Sequence, residues 1–184
     1  MLKKFKQFAH FFHPVVPAER ELAQPFAFSL AGHRLLILPA SDNDMQSLLQ
    51  LEQVIYQRTP WVAQTFQREF RKATCLYLVV YEGPQLLALL GEQFQSADAH
   101  ITNIFVTPDY QHLGLGSFLM ELAIGYAQLN HAQSMSLEVR VDNLPAQALY
   151  RKYDFVGTFV RRGYYQDTHG DALNMVKQLT GDNQ

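Results

Sequence analysis

Two glycines, Gly114 and Gly116, stand in the stretch Gln111-His-Leu-Gly-Leu-Gly-Ser117, directly before a run with helical spacing. A helix N-terminus presents unpaired N–H groups and a partial positive charge. Glycines remove the Cβ atoms that would keep an anion at a distance. The stretch reads either as a cradle for a phosphate or pyrophosphate or as a tight strand-to-helix connection. Without Gly-Lys-Ser/Thr it is not a nucleoside-triphosphate loop. The third glycine of the dinucleotide fingerprint is missing, and its acidic residue about 20 positions later is not evident. Further on, Ser136, Glu138 and Arg140 alternate with Met135, Leu137, Val139 and Val141. One face of that strand therefore carries a carboxylate beside a guanidinium. Glu138 is either a solvated surface group or a general base, and a cation on its side of the strand would lower its pKa. Tyr150 follows Asn143 by seven positions, which puts both on one helical face. It is either a packing residue or a phenol able to donate a proton. Asn143 also reads as a helix N-cap. His10 and His13 lack nearby cysteine or carboxylate ligands, so no metal site is expected.

These residues need a scaffold, and the hydrophobic pattern supplies one. Strands are expected at 33–39, 75–82, 85–95, 100–107, 134–141, 155–164 and 171–179. Helices are expected after Ser41 or Asp42 with a stripe of Met45, Leu48, Leu49, Val54 and Ile55, from Thr59-Pro60 to about Lys72, after the glycines, and over 144–153. The order β-α-α-β-β-β-α-β-α-β-β lacks the regular alternation of a doubly wound sheet. It predicts an α/β (α+β mixed) domain: a mixed sheet of about seven strands flanked by about four helices.

The chain has 184 residues, 48% of them hydrophobic, with a formal charge of −2. It is long enough for one domain with a real core. A broad electrostatic grip on nucleic acid is not expected. The single cysteine, Cys75, excludes an internal disulfide and suits a reducing cytoplasm; its apolar neighbours suggest a buried filler. No apolar run reaches the roughly 18 residues of a membrane span. Residues 1–32 read as an amphipathic arm and a Pro-containing linker, and the domain is expected over 33–184. Leu2, Phe5, Phe8, Ala9 and Phe12 share a helical face, so residues 1–13 could pack on the domain, dock on a partner or lie on a membrane surface.

The segments "AHITNIFVTPDYQHLGLG", "MSLEVRVDNLPAQALYRKYDFV" and "RRGYYQDTHGDALNMV" together resemble the GNAT superfamily of N-acetyltransferases, in particular its RimI-type ribosomal-protein alanine N-acetyltransferases. Gln111 to Gly116 fits the family's Q/R-x-x-G-x-G/A signature. The likeness is strong over about 98–177, looser over 34–97, and does not reach the first thirty or so residues. It implies a splayed sheet, acetyl-CoA as co-substrate, no metal, and the N-terminus of a ribosomal protein as acceptor. By the same resemblance, Ile104, Phe105 and Val106 line the acetyl-pantetheine arm. Gln111, His112, Leu113, Gly114, Leu115, Gly116 and Ser117 hold the phosphates, largely through N–H groups. Glu138 becomes the base, Tyr150 the acid with Tyr153 as the fallback phenol, and Asn143 a further pantetheine contact. His112 stands where relatives often carry Arg or Lys, and Tyr153-Asp-Phe155 replaces the usual Leu-Gly-Phe. Trp61 reads as a groove residue or a core anchor, with Glu92 and 161–166 as weaker groove candidates. A lysine, polyamine or drug amine is the alternative acceptor, and an acyl-CoA-binding module without catalysis the alternative function.

Overall fold

The computed structural model describes residues 25–179 except Arg58, Pro60 and Asp167. The arm at 1–13, with His10 and His13, lies outside the described residues. One eight-stranded sheet organises the rest, in the order β1-β2-β3-β4-β5-β6-β8-β7. Its strands are β1 (Phe26–Leu30), β2 (His33–Pro39), β3 (Cys75–Glu82), β4 (Gln85–Gln95), β5 (Asp98–Val106), β6 (Ser134–Arg140), β7 (Val156–Tyr165) and β8 (Gly170–Gln178). Among the described residues the α-helices are α1 (Met45–Tyr56), α2 (Ala63–Phe70), α3 (Leu115–Leu129) and α4 (Leu144–Lys152).

The sheet begins upstream of the expected start at His33. Phe26–Leu30 pairs antiparallel with β2 along its whole length, and Phe28 and Leu30 are buried. This strand hides in the sequence because a Pro-containing, polar stretch leads into it, and it raises the strand count from seven to eight. Helix α2 starts at Ala63, after the expected Thr59-Pro60. In α1 the buried residues are Met45, Leu48, Leu51 and Glu52, whereas Val54 is exposed.

Alternation along β3 shows the two faces. Leu78 and Val80 enter one core with α3 residues Phe118, Leu119 and Leu122. Tyr77 and Val79 enter the other with α1 residues Leu48 and Leu51 and α2 residue Phe66. Strands β1 to β5 run antiparallel to their neighbours; β5 and β6 alone pair in parallel.

That parallel pair is short. Its register runs Asp98↔Ser134 to Ile101↔Leu137 and then stops, although both strands continue. β4 keeps hold of β5, and β8 keeps hold of β6, to their far ends. Beyond Ile101 and Leu137 the two strands therefore splay, and their facing backbone edges have no strand partner. The split coincides with a bulge. Gly91 pairs with Asn103 while Glu92 pairs with Ile101, which leaves Thr102 as an extra residue. The Thr102 hydroxyl lies 2.9 Å from Tyr77 Oη.

Candidate active site

On one side of the split lies the glycine loop. Gln111 Nε2 donates to Val106 O at 3.0 Å and so ties the loop to the end of β5. The Tyr110 hydroxyl donates to Glu82, whose carboxylate also meets His33 Nδ1 at 3.0 Å. Gly114 is the N-cap of α3 with φ 94°, a left-handed conformation that glycine adopts without strain. His112 also has positive φ, at 61°. The first turn of α3 contains no acidic residue. Its N–H groups at Leu115, Gly116 and Ser117 precede the first intrahelical acceptor pairing, Phe118 N to Gly114 O at 3.0 Å. A Cβ on Gly116 would come within 3.3 Å of Leu149 Cδ2, so this glycine lets α4 approach α3 closely.

Side chains and backbone divide the work among the residues expected to bind the coenzyme. Leu115 is buried in the core beneath α3, and Phe105 lies in the opposite core. What Ile104, Phe105 and Val106 offer the split is their backbone edge. Gln111, His112 and Leu113 are exposed, and Gly114, Gly116 and Ser117 half-exposed. A run of N–H groups in a first helical turn that carries no acidic residue fits a pyrophosphate.

Helix α4 closes the other side. Asn143 Oδ1 accepts from Ala146 N at 3.2 Å, an N-cap contact. Gln147 Nε2 donates to Arg140 O and Val141 O, each at 3.0 Å, and bolts α4 to the end of β6. Tyr150 is buried against Phe155. Burial pushes its phenol well above the usual range, and the neighbouring Tyr56 and Tyr165 act in the same direction. It therefore stays protonated, as a hydrogen-bond or proton donor must. Tyr153 turns toward α3: its hydroxyl lies 2.9 Å from Glu121 Oε1 and 3.1 Å from Ser117 O, and its one hydrogen is shared between these two acceptors.

Glu138 sits on the opposite face of β6 from Met135 and Leu137. Its side chain is 7% exposed. His100 Nε2 lies 3.2 Å from Oε2, while Asn174 Nδ2 at 3.2 Å and Arg161 Nη2 at 3.3 Å meet Oε1. The His100 contact, then Asn174 and Arg161, holds the carboxyl below its ordinary value against the opposing effect of burial. Arg140, the cation expected to do this, instead grips Asp142 at 2.7 and 2.9 Å and Thr168 at 2.9 Å, with its guanidinium 5.5 Å from the Tyr165 ring. Glu138 lines a cleft of about 250 Å³ with Gln93, Asp98, His100, Arg161 and Asn174.

His100, Asp98 and Asn174 were not expected at a site. The polar alternation of Asp98 and His100 with Ala99 and Ile101 is the sequence signal for the first two. Arg161 and Tyr164, from the weakly expected stretch 161–166, do line the cleft. Glu92 does not: it is fully buried on the core side, neither oxygen is hydrogen-bonded, and burial raises its carboxyl well above the usual range. Trp61 is half-buried, with its ring centroid 5.0 Å from Phe66 and 6.5 Å from Tyr77. Cys75 is half-buried, and burial followed by Glu69 raises its thiol pKa.

Comparison with known proteins agrees with this geometry. The sequence pattern of the Acetyltransferase (GNAT) family matches residues 43–155. The [ribosomal protein bS18]-alanine N-acetyltransferase of Escherichia coli K12 is 32% identical over 75% of this chain and 93% of its own length. The N-alpha-acetyltransferase RimI of Mycobacterium tuberculosis is 31% identical over 72% of this chain and 85% of its own. The crystal structure of the ribosomal-protein-S18-alanine N-acetyltransferase from Escherichia coli superposes with a TM-score of 0.71 at 28% identity, covering 82% of this chain and 98% of that one. The splayed sheet, the glycine cradle at its mouth and the extent of these matches lead to one conclusion: the chain belongs to the GNAT family and is an acetyl-CoA-dependent N-acetyltransferase.

Proposed function

We propose that the enzyme transfers the acetyl group of acetyl-CoA to the α-amine of a protein N-terminus, an N-terminal alanine of a ribosomal protein, by direct attack in a ternary complex. The observation that carries this reading is Glu138, a shielded carboxylate just past the last β5–β6 pair, in a cleft lined by His100, Arg161 and Asn174. Its lowered pKa makes it a weak base. A peptide α-amine has a reference pKa near ~8 and a lysine near ~10.4, so the α-amine is neutral a few hundred times more often at neutral pH, worth roughly 3 kcal/mol. A weak base suits the easier acceptor. The named activity of the Escherichia coli relative supports the ribosomal alanine.

Each demand of the reaction has a residue. Glu138, beside His100, takes the proton of the incoming amine. The unpartnered backbone edge of β5 past Ile101 offers N–H groups to the developing oxyanion. Tyr150, kept protonated by burial, donates to the departing thiolate. The amines bared in the first turn of α3 hold the pyrophosphate. A covalent acetyl-enzyme has no support in Cys75, whose raised pKa disfavours the thiolate.

Incubation with acetyl-CoA and paired peptides tests this by intact mass. One peptide has a free N-terminal alanine and no lysine; the other has a blocked N-terminus and an internal lysine. A gain of one acetyl group on the first alone is expected. Acetylation of the second alone would move the reading to a lysine acceptor, and binding without transfer to either would make the chain a non-catalytic acyl-CoA-binding module.

A further inference from the structure

A row of polar side chains runs along the paired half of β5 and β6. The hydroxyls of Ser134 and Ser136 donate to the two oxygens of Asp98, at 2.7 Å to Oδ1 and 2.8 Å to Oδ2. Ser136 Oγ lies 3.0 Å from His100 Nδ1. The far nitrogen of that ring, Nε2, lies 3.2 Å from Glu138 Oε2. Asp98, Ser136, His100 and Glu138 all line the same cleft.

Counting hydrogens assigns the tautomer. A serine hydroxyl has one hydrogen, and an ionised carboxylate only accepts. Asp98 takes the hydrogen of Ser136, so the Ser136 oxygen must accept from His100, and Nδ1 must carry an N–H. The nitrogen left to gain and lose a proton is Nε2: when protonated it donates to Glu138 Oε2 and holds that carboxyl low, and when bare it can accept the proton that Glu138 has taken up. Arg161 and Asn174 occupy the other Glu138 oxygen, which reserves Oε2 for the ring.

We infer that Asp98 and Ser136 are positioning residues that hold His100 in its Nδ1–H form, so that a proton taken by Glu138 passes to Nε2 and leaves through the cleft. This rests on the reading of Glu138 as the base. The acceptor ammonium gives one proton to Glu138. The proton moves to Nε2, which makes the ring an imidazolium, and then to water, which restores both groups. The freed amine forms the C–N bond as the thioester C–S bond breaks; the second proton it sheds on becoming an amide replaces the one the thiolate takes from Tyr150, so coenzyme A leaves as the thiol and no further reagent is required. The other groups facing this pair are Gln93 and Gln95 from β4, Arg161 and Tyr164 from β7, and Asn174 from β8. Among these only Arg161 and Tyr164 ionise.

The test is the tautomer of His100, read from side-chain 15N shifts of the full-length protein labelled at histidine, with His100→Gln to assign the signals. In the wild type the neutral ring is expected to be Nδ1–H. In Ser136→Ala and Asp98→Asn the population is expected to move to Nε2–H. Ser136→Thr keeps a hydroxyl and is expected to keep Nδ1–H. In kinetics, Ser136→Ala and Asp98→Asn should lower kcat by on the order of tenfold with the peptide KM changed less than about twofold, and Ser136→Thr should restore the rate. An Nε2–H ring in the wild type, or an unchanged tautomer in Ser136→Ala, overturns the inference; Ser136→Ala decides should Asp98→Asn fail to fold. Glu138→Gln measured alongside separates the two claims: wild-type turnover there would remove the base, and the proton route with it, whatever the tautomer.

Discussion

At the scale of residues, the proposed acetyl transfer divides between a carboxylate, Glu138, that is kept charged and a phenol, Tyr150, that is kept neutral. Environments that push titratable groups apart in this way separate the base from the acid. Glu138→Gln should lower kcat by about 10²–10³ with little change in the KM for acetyl-CoA, as removal of a general base does. Initial rates at saturating coenzyme will show it. Glu52 offers a stability test away from the chemistry. It is buried on α1, accepts from Trp61 N at 3.2 Å, and burial raises its pKa from 4.5 to about 7 despite that contact. Folding therefore favours its protonated form. Stability linked to Glu52 is fully present below pH 4.5 and is lost as pH rises through about 7. Glu52→Gln keeps an acceptor for Trp61 and cannot ionise. It should melt above the wild type at pH 8 and alongside it near pH 4.5, by thermal denaturation.

At the scale of elements, the site depends on how α4 and β4 are held. Gln147 ties α4 to two carbonyls at the end of β6 and is itself buried. Gln147→Leu removes a hydrogen bond from each carbonyl, leaving Arg140 O with Asn143 N, and should cost about 1–3 kcal/mol in denaturant unfolding. It should also reduce kcat, because Tyr150 is carried one turn further along the same helix. Under the bulge, a Cβ on Gly91 would run into the Tyr77 ring and come within 2.7 Å of Thr102 Oγ1. Gly91→Ala should destabilise by about 1–3 kcal/mol through overpacking. Much of this level was legible in the sequence. Alternation in Met135–Val139 places Glu138 correctly, because β6 is regular. The same reasoning missed β1, whose Phe26–Leu30 follows a polar, Pro-containing stretch. It offered Glu92 as a weaker groove candidate without a face to check against, and it put Arg140 on the side of Glu138 and left open whether the two meet, because a strand pattern cannot show that Arg140 turns to Asp142. Arg161 and Asn174 reach Glu138 from strands distant in sequence, and no local pattern reports such pairs.

At the scale of the whole molecule, the proposed coenzyme cradle leans on the edge of the sheet. Leu30 of β1 comes within 3.7 Å of a Cβ built on Gly114. Removal of residues 1–24 should leave a folded enzyme. Removal of residues 1–32 takes away β1 with its buried Phe28 and Leu30, and should weaken acetyl-CoA binding as well as stability. Calorimetric titration of the two truncations will compare them. Acetyl-CoA at 100 times its Kd should stabilise the folded enzyme by about 2.7 kcal/mol, read as a rise in melting temperature.

The surplus residue at Thr102 sets the phase of the whole strand. Odd-numbered Ile101 and even-numbered Ile104 face the same core, while His100 in the cleft and Phe105 in the α1 core share the other side. Flattening the bulge with Thr102 retained would invert the downstream half, sending Ile104 and Phe105 each into the wrong layer, whereas deleting Thr102 would leave both where they are and remove only the bulge.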